Sequence, residues 1–430
     1  MLRNLPVYLS VLTLLISSAI AGPTPPPYRT QIERYNGEKT GRYIVTLKEG
    51  ASRANVINQL AKVSLDAVEI VYEYGDIING FAGELNPLRE AVKMTYGYEL
   101  RRTIAKLGPT ALTLLQALPN VETISEDGIM HTTALVEQTE ASWGLARLSS
   151  PTQQWSKGQD PRQLNFKYTY DDTAGAGVDI YVVDTGIQIN HTDFGGRAQW
   201  GATFGAGYKN EDGHGHGTHV AGTAAGTTYG VAKAANIVAV KVLSDTGSGS
   251  ISDIIAGLIY VAVKSIQSGR PTVVNMSLGG GVSPPLDLVT KILTTLGIHV
   301  VVAAGNSNAD AQNTSPAHVE EAITVGASTI DDERASFSNF GSVVDVFAPG
   351  RYITSAWIGS GADDTFIASG TSMASPHVAG LVAYLINLEG EQIMPEAMET
   401  KLKSLGVHGA LTNIPSGTAN ILAQNGVAQP

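Results

Sequence analysis

Five short runs in the second half of the chain are apolar, rich in β-branched residues and nearly uninterrupted: residues 178–183, 237–243, 273–278, 300–304 and 322–325. A strand with one wet face alternates apolar and polar residues, whereas a strand covered on both faces does not. Between the runs lie stretches with helical spacing, at 216–227, 252–268 and 285–296. Strand and helix in alternation predict a parallel sheet with helices on both faces, an α/β architecture. In such sheets ligands gather outside the carboxyl ends of the strands. Asp184 closes the first run and Asn306 follows the fourth.

The first third reads differently. A basic start at Arg3, an apolar run from Leu5 and small residues at Ala19 and Ala21 predict a cleaved secretory signal over 1–21. That run is short for a membrane span, and prolines follow it at 23 and 25–27. After a Pro-rich linker come a strand at 42–47, a helix at 51–63, a strand at 71–81, a helix at 109–118 and a strand at 121–124. This is a small α+β unit able to fold alone. Residues 86–106 fit no part of it and read as an insertion containing a helix. The layout expected is signal 1–21, an N-terminal segment 22–133 with its core at 42–133, and a large domain 134–430.

Composition narrows the chemistry. There is no cysteine, which excludes disulfides, a thiolate nucleophile and zinc–thiolate sites. The net charge of −11 is carried by the region from Val136 onward, without a basic run, which argues against a nucleic-acid partner. No second long apolar segment points to a membrane.

Three glycine-rich frames carry candidate catalytic groups. Asp184 stands before Thr185 and Gly186, His216 between Gly215 and Gly217, and Ser372 after Gly370 and Thr371. A serine hydroxyl needs an adjacent base to act as a nucleophile. Ser372 precedes a run at 375–388 read as an amphipathic helix, so its oxyanion would meet free N–H groups at a helix start. Pro376 is expected to be tolerated in that first turn. His216 is the candidate base and Asp184 its orienting partner; His219 reads as structural and His214 as a loop residue. Asn306 is the candidate oxyanion donor, with the Ser372 N–H. The order Asp, His, Ser differs from the His-Asp-Ser and Ser-Asp-His orders of other serine triads. Two other readings stay open: an inactive binding module on the same fold, and a zinc hydrolase using His214, His216 and His219.

With these frames assembled, the chain resembles secreted subtilisin-like serine proteases of the proteinase K branch from about Trp143 to Leu422. Also carrying the resemblance are Asn275-Met276-Ser277-Leu278-Gly279-Gly280 and Phe337-Ser338-Asn339-Phe340-Gly341. The resemblance implies a secreted, monomeric endopeptidase acting on proteins or peptides, with the 42–133 unit as its inhibitory pro-domain. It implies that Gly247, Ser248 and Gly249 on one side, and Ser277, Leu278 and Gly279 on the other, hold an extended substrate by strand addition. Ala303, Ala304 and Gly305, with residues 278–280, would wall a P1 pocket suited to aliphatic or aromatic side chains. A structural calcium is implied at Asp345 with the carbonyls of Glu320 and Ala322. The branch often has cysteine where this chain has Val220, and proline where it has Glu320. Asn190 and Asn313 are in glycosylation sequons; Asn275 is in a third, expected to be buried.

Overall fold

The computed structural model describes residues 29–35, 39–63, 70–73, 80–84, 105–106, 109–128, 135–153, 155–156, 158–390 and 393–427. The expected signal, the core of the 86–106 insertion and residues 132–134 lie outside them. The described chain forms two compact units.

The first unit contains β1 (Ile32–Glu33), β2 (Lys39–Leu47), α1 (Arg53–Val63), β3 (Ile70–Glu73), β4 (Gly80–Glu84), β5 (Ala105–Lys106), α2 (Pro109–Ala117) and β6 (Val121–Gly128). Its sheet runs β1-β6-β2-β4-β3, with β5 on β4. Val45, Leu47, Val121 and Ile124 from the sheet bury against Val56, Leu60, Ala111 and Leu115 from the two helices. The single strand expected at 71–81 is instead two strands, β3 and β4, paired antiparallel. Gly75-Asp76, a turn-forming pair, stands in the middle of that run.

The second unit starts with β7 (Leu135–Ala141), α3 (Trp143–Leu148) and β8 (Phe166–Asp171), continues through β9 (Asp179–Asp184), β10 (Ala198–Thr203), α4 (His216–Ala225), β11 (Asn236–Lys241), α5 (Ile251–Ser268), β12 (Thr272–Met276) and α6 (Pro284–Thr295), and then β13 (His299–Ala303), β14 (Ile323–Ser328), β15 (Val346–Pro349), β16 (Ile353–Ala356) and β17 (Thr365–Ala368). It ends with α7 (Thr371–Glu389), α8 (Pro395–Leu405), β18 (Val407–His408) and β19 (Ile421–Leu422). The main sheet runs β10-β11-β9-β12-β13-β14-β15-β19-β18. Its pairs are parallel except the last, β18 with β19.

Strand geometry explains the uninterrupted apolar runs. Successive side chains point to opposite faces, and each face carries its own core. Ile180 and Val182 of β9 and Ile237 and Ala239 of β11 join Val220 of α4 and Val378 of α7. Tyr181, Val183, Val238 and Val240 join Ile254 and Leu258 of α5 and Leu293 of α6. The predicted α/β sheet with helices on both faces is present.

One helix departs from expectation. α7 is not amphipathic: between residues 371 and 386 every residue is buried except Ser372. It begins at Thr371, so Pro376 lies beyond the first turn. A proline there leaves the carbonyl four residues earlier without its helical donor. That carbonyl belongs to Ser372, and the Ser277 hydroxyl donates to it at 2.8 Å.

Candidate active site

Sheet topology sets the place. After β9 the chain builds one side of the sheet with β10 and β11, then the other with β12 to β15. The strand order therefore reverses beside β9, and a crevice opens there at the carboxyl ends. Asp184 ends β9, Ser277 follows β12, and Asn306 follows β13.

The Asp184 carboxylate is fully buried. Its Oδ1 accepts the Thr185 N–H at 2.7 Å and the His216 Nδ1–H at 2.8 Å. Its Oδ2 has no hydrogen bond among the described residues. Burial lowers the basicity of His216, but the Asp184 charge and hydrogen bond, followed by the charge of Asp212, outweigh it, so the imidazole pKa is raised.

The frame around His216 depends on glycine at two positions. Gly215 caps α4 at φ 96°, a left-handed conformation that glycine adopts without strain. At Gly217 a Cβ would lie 2.1 Å from the Gly186 carbonyl oxygen, so a side chain there would push the helix off the Asp184 turn. Asp212 fixes the same frame. Its Oδ1 accepts from Thr185 Oγ1 at 2.8 Å, Gly215 N at 2.9 Å and His214 N at 3.1 Å. Its Oδ2 accepts from Thr218 N at 3.0 Å and Thr218 Oγ1 at 2.6 Å. Thr185 Oγ1 in turn accepts the Gly217 N–H.

The other two histidines take no part in that pair. His219 is buried and donates from Nε2 to the Ile353 carbonyl at 3.0 Å; burial drives its pKa down to about 3, so it is neutral. The His214 ring lies 6.2 Å from that of His216, edge to face. Among the described residues no group of three His, Cys, Asp or Glu is placed to hold a metal, which leaves the zinc reading without a ligand set.

Ser372 opens toward the crevice from the start of α7. Its hydroxyl donates to the Ser277 carbonyl at 3.2 Å; among the described residues it makes no hydrogen bond to His216. Such contacts are often loose before substrate binds. Asn306 is oriented from behind: its Oδ1 accepts the Thr371 N–H at 2.8 Å and Thr371 Oγ1 at 2.9 Å. The donors on Oδ1 fix which end of the amide is which, and Nδ2 remains as the donor end.

Two cavities meet here. One of about 470 Å³ is lined by His214, His216, Leu243, Gly247, Ser248, Gly249 and Ser277, among others. The other, about 360 Å³, is lined by Ala303, Gly305, Asn306 and Ser372, among others. Both include Leu278, Gly279 and Gly280. The Ala304 side chain is buried in the core shared with α5 and α6, so only its backbone is left to wall the pocket. Alternation along the strand turns that side chain away from the cavity that Ala303 faces. Asp212, Thr185 and Thr371 were missed from the sequence, although an Asp two residues before a loop histidine, in an Asp-Gly turn, is a recognisable signal for Asp212.

The residues expected to hold calcium do not fit that ion. Asp345 Oδ1 meets Lys403 Nζ at 2.8 Å, and Oδ2 accepts the Thr324 N–H at 2.8 Å. An ammonium thus stands where the cation would be. Asn190 and Asn313 are exposed, whereas Asn275 is buried in β12.

A buried carboxylate bonded to an imidazole, beside a hydroxyl at a helix start and an oriented amide, at the carboxyl edge of a parallel sheet, defines a serine hydrolase. The comparisons narrow the class. The Subtilase family profile (Peptidase_S8) matches residues 175–426. The chain is 42% identical to "Alkaline serine protease ver112" of Corniculantispora psalliotae, over 97% of this chain and 99% of that one. It is 41% identical to the "Cuticle-degrading protease" of Metarhizium anisopliae, over 98% of this chain and 100% of that one. A crystal structure of a cold-adapted subtilisin-like serine proteinase is 43% identical, with a TM-score of 0.59, covering 66% of this chain and 98% of that one. The chain belongs to the subtilase family and is a subtilisin-like serine protease.

Proposed function

We propose that this chain is a secreted endopeptidase that hydrolyses peptide bonds through Asp184, His216 and Ser372 and is made as a self-processed precursor. The observation that carries the reading is the 2.8 Å bond from His216 Nδ1 to the buried Asp184 carboxylate. That bond fixes the tautomer, so Nε2 is the free base. Ser372 Oγ attacks the scissile carbonyl while Nε2 takes its proton. The oxyanion is held by Asn306 Nδ2 and the Ser372 N–H. Nε2 returns the proton to the leaving amine, and water repeats the sequence on the acyl-enzyme.

An extended substrate adds as a strand between Gly247, Ser248 and Gly249 and the segment Ser277, Leu278 and Gly279. Among the described residues no carboxylate lines the cavity by Ala303 and Gly305, which favours aliphatic or aromatic P1 side chains over Lys or Arg. In this reading residues 1–21 are the signal, 22–133 the propeptide and 134–430 the mature enzyme, with the pro-domain as its own inhibitor. Alignment of two protease relatives over nearly the whole chain supports a shared layout.

The test is labelling with a serine-directed phosphonylating reagent. Wild type should be labelled and inactivated, and Ser372→Ala should be neither labelled nor active and should accumulate as the uncleaved precursor. His216→Ala should be inactive, while His214→Ala keeps most of the activity. An active His216→Ala, or a cleaved Ser372→Ala expressed alone, would overturn the assignment.

A further inference from the structure

Asp345 and Lys403 are far apart in sequence and joined in the fold. Asp345 precedes β15 and is almost wholly buried. Lys403 lies in the last turn of α8, where a cation also favours the helix dipole. Its Nζ meets Asp345 Oδ1 at 2.8 Å and Glu399, one turn earlier, at 2.5 Å. The other Asp345 oxygen is held by the Thr324 N–H of β14 at 2.8 Å. Both carboxylate oxygens are therefore satisfied by protein groups.

Calcium needs six to eight oxygens at about 2.3–2.6 Å. An ion at that distance from Oδ1 would stand beside an ammonium already in contact with the same oxygen, and like charges that close repel strongly. Among the described residues, no cluster of three acidic or histidine side chains supplies further ligands. Lys403 meets the same electrostatic need in another way. It places one positive charge on a buried carboxylate, and its own backbone tethers that charge to α8.

We propose that Lys403 is the built-in cation of the Asp345 site, standing in for the structural calcium that the family resemblance implies there. The pair ties the end of α8 to the edge between β14 and β15. Because the cation is covalent, this tie holds in calcium-poor surroundings and under chelation.

The test uses mature enzyme inactivated with a serine-directed reagent, so that it cannot digest itself, melted at one scan rate in EGTA and in millimolar calcium chloride. The readout is the part of any calcium response that Asp345→Asn removes. In wild type that part should be nil. Lys403→Ala should melt lower in EGTA by roughly 3–6 °C. Calcium should restore part of that loss, and Asp345→Asn in the same chain should abolish the restoration. Lys403→Arg should behave as wild type. A wild-type calcium response that Asp345→Asn abolishes would overturn the proposal, and this comparison decides even if Lys403→Ala does not fold. So would a Lys403→Ala variant as stable as wild type in EGTA, or one destabilised but not restored by calcium.

Discussion

Asp212→Asn isolates what holds the histidine frame. Five donors converge on the Asp212 carboxylate, three on Oδ1 and two on Oδ2. Asparagine keeps one acceptor oxygen and turns the other into an NH2 group. With its oxygen in the Oδ1 position, it retains the Thr185, His214 and Gly215 donors. It then loses the Thr218 N–H bond and sets its own N–H against that donor, while the Thr218 hydroxyl turns from donating to a charge to accepting from a neutral amide. Hydrogen bonds to a charged group contribute about 1.5–3 kcal/mol each and neutral ones about 0.5–1.5, so one bond lost and one weakened cost about 2.5–4.5 kcal/mol. At about 2 °C per kcal/mol for a domain of this size, the apparent melting midpoint should fall by roughly 5–9 °C. A second effect falls on catalysis. The Asp212 charge is one of the influences that raise the His216 pKa. Removing it lowers that pKa, so the acid limb of kcat/KM should move to lower pH. The assays are thermal melting of inhibited enzyme and a pH profile of kcat/KM on a chromogenic peptide. A variant with a wild-type midpoint and an unmoved acid limb would refute the reasoning.

In wild type the His216 pKa stands above 6.5. The base must be neutral, so kcat/KM should decline as pH falls through that raised value; an acid midpoint below 6.5 would contradict it. Asn306→Ala should lower kcat by about 10²–10³ with little change in KM, a magnitude known for this kind of donor in a subtilisin rather than worked from these distances; a change confined to KM would remove the oxyanion role. Ser277→Ala strips the hydroxyl from the Ser372 carbonyl that Pro376 leaves open, and the bond from Asn275 Nδ2 at 2.9 Å. It should cost about 1–3 kcal/mol, seen as a lower melting midpoint with peptidase activity retained; an unchanged midpoint would contradict the structural role of the hydroxyl.

Much of the protein is local and was therefore legible in the sequence. A strand buried on both faces needs a continuous apolar run, and β9, β11, β12 and β13 each lie within two residues of the run that announced them, β14 within three. The frames of Asp184, His216 and Ser372 are legible too, because Gly186, Gly215, Gly217 and Gly370 stand within two residues of the functional groups, although the close approach that requires Gly217 is to Gly186, far off in the chain. The pair β3 and β4 was read as one strand although Gly75-Asp76 and Asn79-Gly80 put two turn signals within residues 71–81. The amphipathic reading of 375–388 failed for α7, since burial on one side or all sides depends on what packs there, not on the period alone.

What only the tertiary structure decided are contacts whose partners lie far apart in the chain. Ser277 meets the Ser372 carbonyl across 95 positions, and Thr371 orients Asn306 across 65. Asp345 meets Lys403 of α8. No local propensity records these pairs. They exist because the strand order reverses beside β9 and brings the ends of β12 and β13 against the start of α7, while α8 returns to the β14–β15 edge. The sequence by itself determined which residues could do the chemistry. The crossing order of the strands determined which groups hold them in place, because a hydrogen bond or an ion pair exists only where packing brings two groups within about 3 Å.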